Sequence, residues 1–127
     1  MPVVQVSVGE LIDKITILEI KSERINSQDK LTNVSKELEA LKPIEEKYPE
    51  VAFYKLRLKA INESLWDIED AIRVMERNQS FGEKFIDLAR SVYFTNDKRA
   101  EIKKQINAAA GSEIVEEKSY EDTGEMI

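Results

Sequence analysis

Three carboxylates recur along one face of a predicted helix in the middle of the chain. Glu63, Asp67 and Asp70 stand four and three residues apart, and residues at these spacings share one face of an α-helix. Carboxylate oxygens suit Mg²⁺, which keeps several of its waters when it binds. We therefore name these three residues as a candidate Mg²⁺ site. The competing interpretation is a solvated acidic face with ordinary ion pairs between neighbouring turns, such as Glu69 with Arg73.

The single tryptophan of the chain lies beside this acidic face. Asn62, Trp66, Glu69 and Arg73 follow one another at spacings of four, three and four residues and form a second stripe. An indole at such a position packs at the edge of a helical bundle with its N–H hydrogen bonded, or stacks on a sugar or a base. The sequence leaves both roles open.

Hydrogen-bonding side chains interrupt the next predicted helix. They are concentrated in residues 90–99, with a threonine, an asparagine and an aspartate at 95–97, which gain little in a helix interior. Such a run indicates either a kink or a polar pocket. Arg99 occupies a position in the helical repeat that is otherwise apolar and faces the neighbouring helices. It therefore needs a carboxylate partner or an anionic ligand. We expect Asp67 or Asp70 to be this partner, in a buried ion pair between two long helices.

The first predicted helix carries three basic residues that could line one side of a binding site. Lys14, Lys21 and Arg24 could hold a phosphorylated ligand, although pairing with Glu10 and neighbouring acids is the more ordinary role. These patterns give a set of candidate ligand-binding residues and no candidate catalytic residue. The set is Lys14, Asn62, Trp66, Asp67, Asp70, Arg73, Arg90, Tyr93, Asn96, Asp97 and Arg99.

The composition of the 127 residues excludes several kinds of chemistry. Without cysteine or histidine, the chain has no disulfide, thiolate nucleophile, zinc–sulfur site or Ser-His-Asp triad. The formal net charge is −6, and residues 112–127 hold six acids and one base, so the remaining body is nearly neutral. A nonspecific nucleic-acid binder usually has a basic body, so we do not expect nucleic acid as a partner. With no signal-peptide pattern and no apolar run that would span a membrane, we expect a cytoplasmic protein.

Apolar residues at helical spacing predict two shorter helices, followed by a long helical hairpin. A capping box at Ser7 and Glu10 begins the first helix, and Pro43 and Pro49 bracket the connection after the second. The third helix begins near Glu50. Its seam is formed by Leu58, Ile61, Leu65, Ile68, Ile72 and Met75.

A second capping box, at Ser80 and Glu83, predicts the start of the fourth helix, and Gly111 predicts its left-handed end. Seams of this kind fit an all-α antiparallel bundle of about four helices. We place the bundle domain at residues 1–111 and an acidic tail, with apolar residues for partial docking, at 112–127. Because the two shorter helices cannot cover the long hairpin, we expect a homodimer.

Three blocks of the sequence resemble a family of small bacterial and phage proteins that is described only as a domain of unknown function. The blocks are SVGELIDKITILEIK at 7–21, NESLWDIEDAIR at 62–73 and ARSVYFTNDKRAEIK at 89–103. The resemblance covers about residues 7 to 120 and implies a compact helical domain. It implies no activity, cofactor or catalytic residue.

The leading hypothesis for function is a noncatalytic helical module that binds a protein partner and forms a homo-oligomer. The alternative is a small-molecule-binding protein or Mg²⁺-dependent enzyme for a phosphorylated substrate, either a nucleotide or a sugar phosphate. In that case Asp67, Asp70 and Arg73 would face residues 90–99 across two helices. Nucleic-acid binding, through a basic cluster near residue 100, is the third hypothesis.

Overall fold

A computed structural model describes residues 1–115 and 117 of the chain. Within this part it forms four α-helices, with a short 3-10 helix, Pro49–Val51, before the third. The helices are α1 (Val8–Arg24), α2 (Gln28–Glu45), α3 (Ala52–Arg77) and α4 (Glu83–Ala110). The predicted all-α bundle with a long helical hairpin, α3 and α4, is confirmed. Most of the predicted acidic tail, at 116 and 118–127, lies outside the described residues.

Of the two predicted capping boxes, the first forms a cap and the second does not. The Glu10 amide donates a 3.0 Å hydrogen bond to the Ser7 hydroxyl, so α1 begins where the sequence predicts. The second prediction is wrong, because Gly82 is the N-cap of α4 and no side chain caps that helix. Ser80 belongs to the end of α3, since its amide donates to the Met75 carbonyl after Gln79 adopts a positive φ of 54°. This is the Schellman pattern of a helix C-terminus.

The boundaries of α2 and α4 differ in detail from the sequence predictions. α2 passes through Pro43 and ends two residues later, which is tolerated because a proline removes only one hydrogen bond in this last turn. α4 runs unbroken through residues 95–97, so no new helix begins at Thr95 or Asn96, which was one of the two alternatives for this run. Gly111 ends α4 in the left-handed conformation, with φ 65°, as predicted.

The hydrophobic core lies at one end of the α3–α4 hairpin, where α1 packs against both long helices and α2 packs against α1. The buried apolar side chains are Val8, Leu11, Ile12, Ile15, Val51, Leu58, Ile102 and Ile106. At the other end of the hairpin, no residue between 67 and 94 is buried. We call residues 67–94 the distal hairpin. None of the helices in the described ranges is long and apolar enough to cross a membrane.

Candidate functional site

A buried polar network joins α1 to both long helices. Its centre is Asp13, whose side chain is 1% exposed. Arg99 donates from Nε to Asp13 Oδ1 at 3.0 Å and from Nη2 to Oδ2. Asn62 donates to Asp13 Oδ1 and to Thr16 Oγ1, each at 2.9 Å, and Lys103 Nζ lies 3.6 Å from Asp13 Oδ2. One aspartate of α1 therefore holds side chains from α3 and α4 together.

The predicted partner of Arg99 was wrong, although the expected buried ion pair exists. Arg99 pairs with Asp13 rather than with Asp67 or Asp70, because α1 packs against both α3 and α4. Asp67 instead accepts a 2.6 Å hydrogen bond from Arg24 at the edge of the bundle. The sequence signal for Asp13 is its position among the isoleucines and leucines of α1, where an acid needs a buried partner.

The protonation of Asp13 follows from its surroundings. Burial alone would raise the pKa of its carboxyl, but hydrogen bonds from Arg99 and Asn62 and the charges of Arg99 and Lys103 more than offset this. The pKa of Asp13 therefore lies below its ordinary value. On Arg99, the hydrogen bond to Asp13 raises the pKa of the guanidinium. Both groups are charged at neutral pH, so the network is an ion pair rather than a proton shuttle.

The N-terminus of α1 closely approaches the C-terminal part of α4. The Gly9 amide donates a 2.6 Å hydrogen bond to Asn107 Oδ1, and the Val8 amide donates to Ser112 Oγ at 3.3 Å. A β-carbon on Gly9 would lie 2.6 Å from the Lys103 carbonyl oxygen. The side chains of Asn107 in α4 and of Ser112 just after it satisfy amides that a helix N-terminus leaves without an intrahelical acceptor.

Ion pairs along the other side of α1 fasten it to α2 and α3. Lys55 on α3 lies 3.0 Å from a Glu19 oxygen and 2.6 Å from a Glu45 oxygen. Burial lowers the pKa of Lys55, but the hydrogen bonds to Glu45 and Glu19 outweigh burial and leave it raised. Lys59 pairs with Glu23 at 2.8 Å. These contacts give the charged side chains a structural role between helices.

The predicted Mg²⁺ ligands do not come together as a metal site. Arg24 lies 3.8 Å from a Glu63 oxygen and 2.6 Å from an Asp67 oxygen. Across residues 1–115 and 117, no group of three acidic side chains is placed to hold a metal ion. Asp70 lines a cavity instead.

Four of the predicted ligand-binding residues do share this open cavity of about 220 Å³ between α1, α3 and α4. They are Asn62, Trp66, Asp70 and Arg99, and the remaining lining residues are Ile17, Ile20, Leu65 and Glu69.

The other predicted ligand-binding residues lie outside this lining. Lys14 pairs with Glu37 of α2 at 2.9 Å, and Arg73 pairs with Glu69 at 3.3 Å. The guanidinium of Arg90 lies 5.8 Å from the ring centre of Phe94. Asn96 accepts a 3.5 Å hydrogen bond from Arg99. Asp67, Tyr93 and Asp97 also lie away from the cavity.

The charges around the cavity do not favour a phosphorylated ligand. Arg99 is the single cation of the lining, and Asp13 already accepts two of its hydrogen bonds. Glu69 and Asp70 add negative charge to the same lining. Arg24 lies 5.8 Å from the ring centre of Trp66 and so competes for the indole face on which a base or sugar would stack.

Nearly the whole chain matches one known family model. Residues 2–125 match a family of unknown function, DUF6165. The chain belongs to this family. No curated protein and no solved structure matches the chain at a significant level. Membership of DUF6165 confirms the predicted resemblance to a family of unknown function, while the bacterial or phage origin stays a prediction.

Proposed function

We propose that this DUF6165 member is a noncatalytic protein-interaction module whose contact surface is the distal hairpin. The observation that carries the proposal is the contrast between the two ends of the hairpin. The end next to α1 holds the core, whereas the distal hairpin has no buried residue. It nevertheless displays Val74, Phe81, Ile86 and Tyr93, which are between 43% and 53% exposed.

The physics of a two-helix hairpin supports this proposal. Most of the stability of a helix in a protein comes from burying its apolar face, yet Ile72 and Met75 of α3 and Leu88 and Val92 of α4 are only half-buried. Clustered apolar side chains that stay in contact with solvent mark interaction sites. A partner on the distal hairpin would cover exposed apolar side chains such as Val74, which is 44% exposed.

The use of the charged groups supports a noncatalytic role. Asp13 and Arg99 satisfy each other in the network, and Glu10 pairs with Lys103 at 2.7 Å. Each of these contacts joins two helices, so removing one would weaken the fold as well as any chemistry. The cavity beside them is lined mainly by apolar side chains and carboxylates.

The two alternative functions have weaker support. A phosphorylated substrate would meet excess negative charge at the cavity, and a Mg²⁺ site would have to displace Arg24 from Glu63 and Asp67. Nucleic-acid binding depends on the basic cluster at residues 98–104, of which Arg99 and Lys103 are already paired with acids of α1. A partner could bind the exposed apolar side chains of the distal hairpin without breaking any of these ion pairs.

Site-specific photo-crosslinking tests the proposal without assuming which partner binds. A photoreactive residue is placed singly at Val74, Phe81 or Ile86 in the full chain, inside cells that produce it. Ile44 of α2 is the matched control, because this isoleucine is 41% exposed but lies outside the distal hairpin. We expect a discrete crosslinked product from the distal positions and none from Ile44.

The opposite result would count directly against an interaction module. If the three distal positions yield no product, or if Ile44 yields the same product, the distal hairpin is not the contact surface. Mass spectrometry of a discrete product shows whether the second component is another copy of the chain or a different protein.

A further inference from the structure

The outer face of α3 carries an ordered set of charges around one apolar residue. Asp70, Val74 and Arg77 stand four and three residues apart, which places them within about 60° of one another around a helix with 3.6 residues per turn. All three are exposed, whereas Ile68 and Ile72, which belong to the seam with α4, are half-buried. The three residues therefore form a stripe on the side of α3 opposite Ile68 and Ile72, and Asp70 at one end of it also lines the cavity between α1, α3 and α4. We call it the α3 stripe.

The α3 stripe is complementary to itself when it is reversed. Its midpoint between Asp70 and Arg77 falls within about half a residue, or roughly 1 Å along the helix axis, of Val74. A second α3 that runs antiparallel across this point brings Asp70 of each copy opposite Arg77 of the other. The two Val74 side chains then meet near the two-fold axis, as in an isologous interface.

We propose that a second copy of this chain packs on the distal hairpin through antiparallel contact of the two α3 stripes. The inference rests on the proposed function, because it names the partner of that same surface. The order of the two charges along the stripe favours a second copy as the partner. A parallel copy would place aspartate against aspartate, and a uniformly acidic or basic partner would repel one end of the stripe.

Neither charged residue of the stripe forms a close ion pair inside the monomer. The pKa of Arg24 is raised mainly by its hydrogen bond to Asp67, and the charge of Asp70 is a lesser contribution. Among the residues that the structure describes, no ion pair within 4 Å involves Asp70 or Arg77, whereas Arg73 on the neighbouring face pairs with Glu69 at 3.3 Å. The side chains are therefore available for contacts between copies. With one valine and two exposed ion pairs at its centre, the dimer is weak and forms in a concentration-dependent way.

The test exchanges the charges and measures self-association of the full chain by sedimentation equilibrium. Asp70→Arg places like charges at both ends of the antiparallel contact, and so does Arg77→Asp. Each variant alone is expected to raise the dimer dissociation constant at least about tenfold. An equimolar mixture of the two variants is expected to recover dimerisation, because each charge then meets its opposite.

Matched controls separate this contact from general effects of charge and folding. Glu76→Arg and Lys84→Asp make the same changes of charge at exposed positions of the distal hairpin outside the stripe, and both are expected to dimerise like the wild type. Circular dichroism and thermal unfolding verify that each variant keeps its fold. Recovery in the mixture provides a second control, since a misfolded variant cannot restore the dimer.

Two results would overturn the inference. A wild-type chain that stays monomeric at about 1 mM has no such dimer, although a different protein crosslinked to the distal hairpin would still support the proposed function. A wild-type dimer that the exchanges affect no more than the controls must use another surface.

Discussion

Replacing Gly9 by alanine is expected to destabilise the fold by about 3 kcal/mol, at the upper end of the range for overpacking. The new methyl group would lie 2.6 Å from the Lys103 carbonyl oxygen and 2.9 Å from Asn107 Oδ1. The first of these atoms belongs to the backbone of α4, so it cannot move aside as a flexible side chain would. Separating the helices would also lengthen the hydrogen bond from the Gly9 amide to Asn107.

Gly82→Ala is the matched control for this substitution. A β-carbon on Gly82 meets no atom within 4 Å, so the free energy of unfolding is expected to change by less than about 1 kcal/mol. Urea unfolding of the wild type and both variants measures the difference. Equal stability of the two variants would show that α1 does not approach α4 as closely as described.

Replacing Arg99 by methionine is expected to lower the unfolding free energy by about 3 kcal/mol at neutral pH. This value is the lower end of the range for removing one partner of a buried ion pair. Methionine keeps much of the side-chain volume, so the loss is mainly that of charge and hydrogen bonds. The carboxylate of Asp13, which is 1% exposed, would keep Asn62 and Lys103 but lose its bidentate partner. The lower end applies because the Arg99 side chain is 30% exposed.

The pH dependence of this loss identifies its cause. In the wild type the pKa of Asp13 is lowered below its ordinary value, so its stabilising effect is complete above that ordinary value and is lost as pH falls through the lowered pKa. Without Arg99, burial favours the neutral carboxyl. The difference in unfolding free energy between wild type and Arg99→Met is therefore expected to be largest near pH 7 and to shrink below about pH 4.

Arg73→Met is the control for removing an arginine. Arg73 pairs with Glu69 on the exposed face of α3, with its side chain 77% exposed, and such a pair within one helix contributes only a few tenths of a kcal/mol, about 0.2–0.5. Urea unfolding at several pH values compares both variants with the wild type. Two results would contradict the described role of the Asp13–Arg99 ion pair between α1 and α4. One is an equal loss of unfolding free energy in both variants, and the other is a loss in Arg99→Met that does not depend on pH.

Local patterns in the sequence predicted the helices well, because capping and apolar spacing act within a few residues. Ser7 begins α1 and Gly111 ends α4 as expected. The prediction at Ser80 failed for a local reason, because the Ser80 amide is hydrogen bonded in the C-terminal turn of α3. Pro43 lies inside α2 because its position in the last turn makes the lost hydrogen bond inexpensive.

The site was harder to predict, because it depends on which helices lie next to each other. The sequence placed Asn62, Trp66, Asp70 and Arg99 in one candidate set, and the structure brings these four to one cavity. It did not identify Asp13, since only the packing of α1 against both long helices shows which carboxylate meets Arg99. Charge type and spacing can indicate that a partner is needed without naming it.

Hydrogen exchange at two protein concentrations tests most directly the claim that a second copy of the chain covers α3 in the distal hairpin. Amides of an uncovered helix open at low free-energy cost, so residues 67–77 are expected to exchange quickly in dilute solution. On concentration into the range where the chain self-associates, they should become protected, while residues 8–16 in the core should exchange at an unchanged rate. Fast exchange of residues 67–77 at every concentration would contradict coverage of α3 by a second copy.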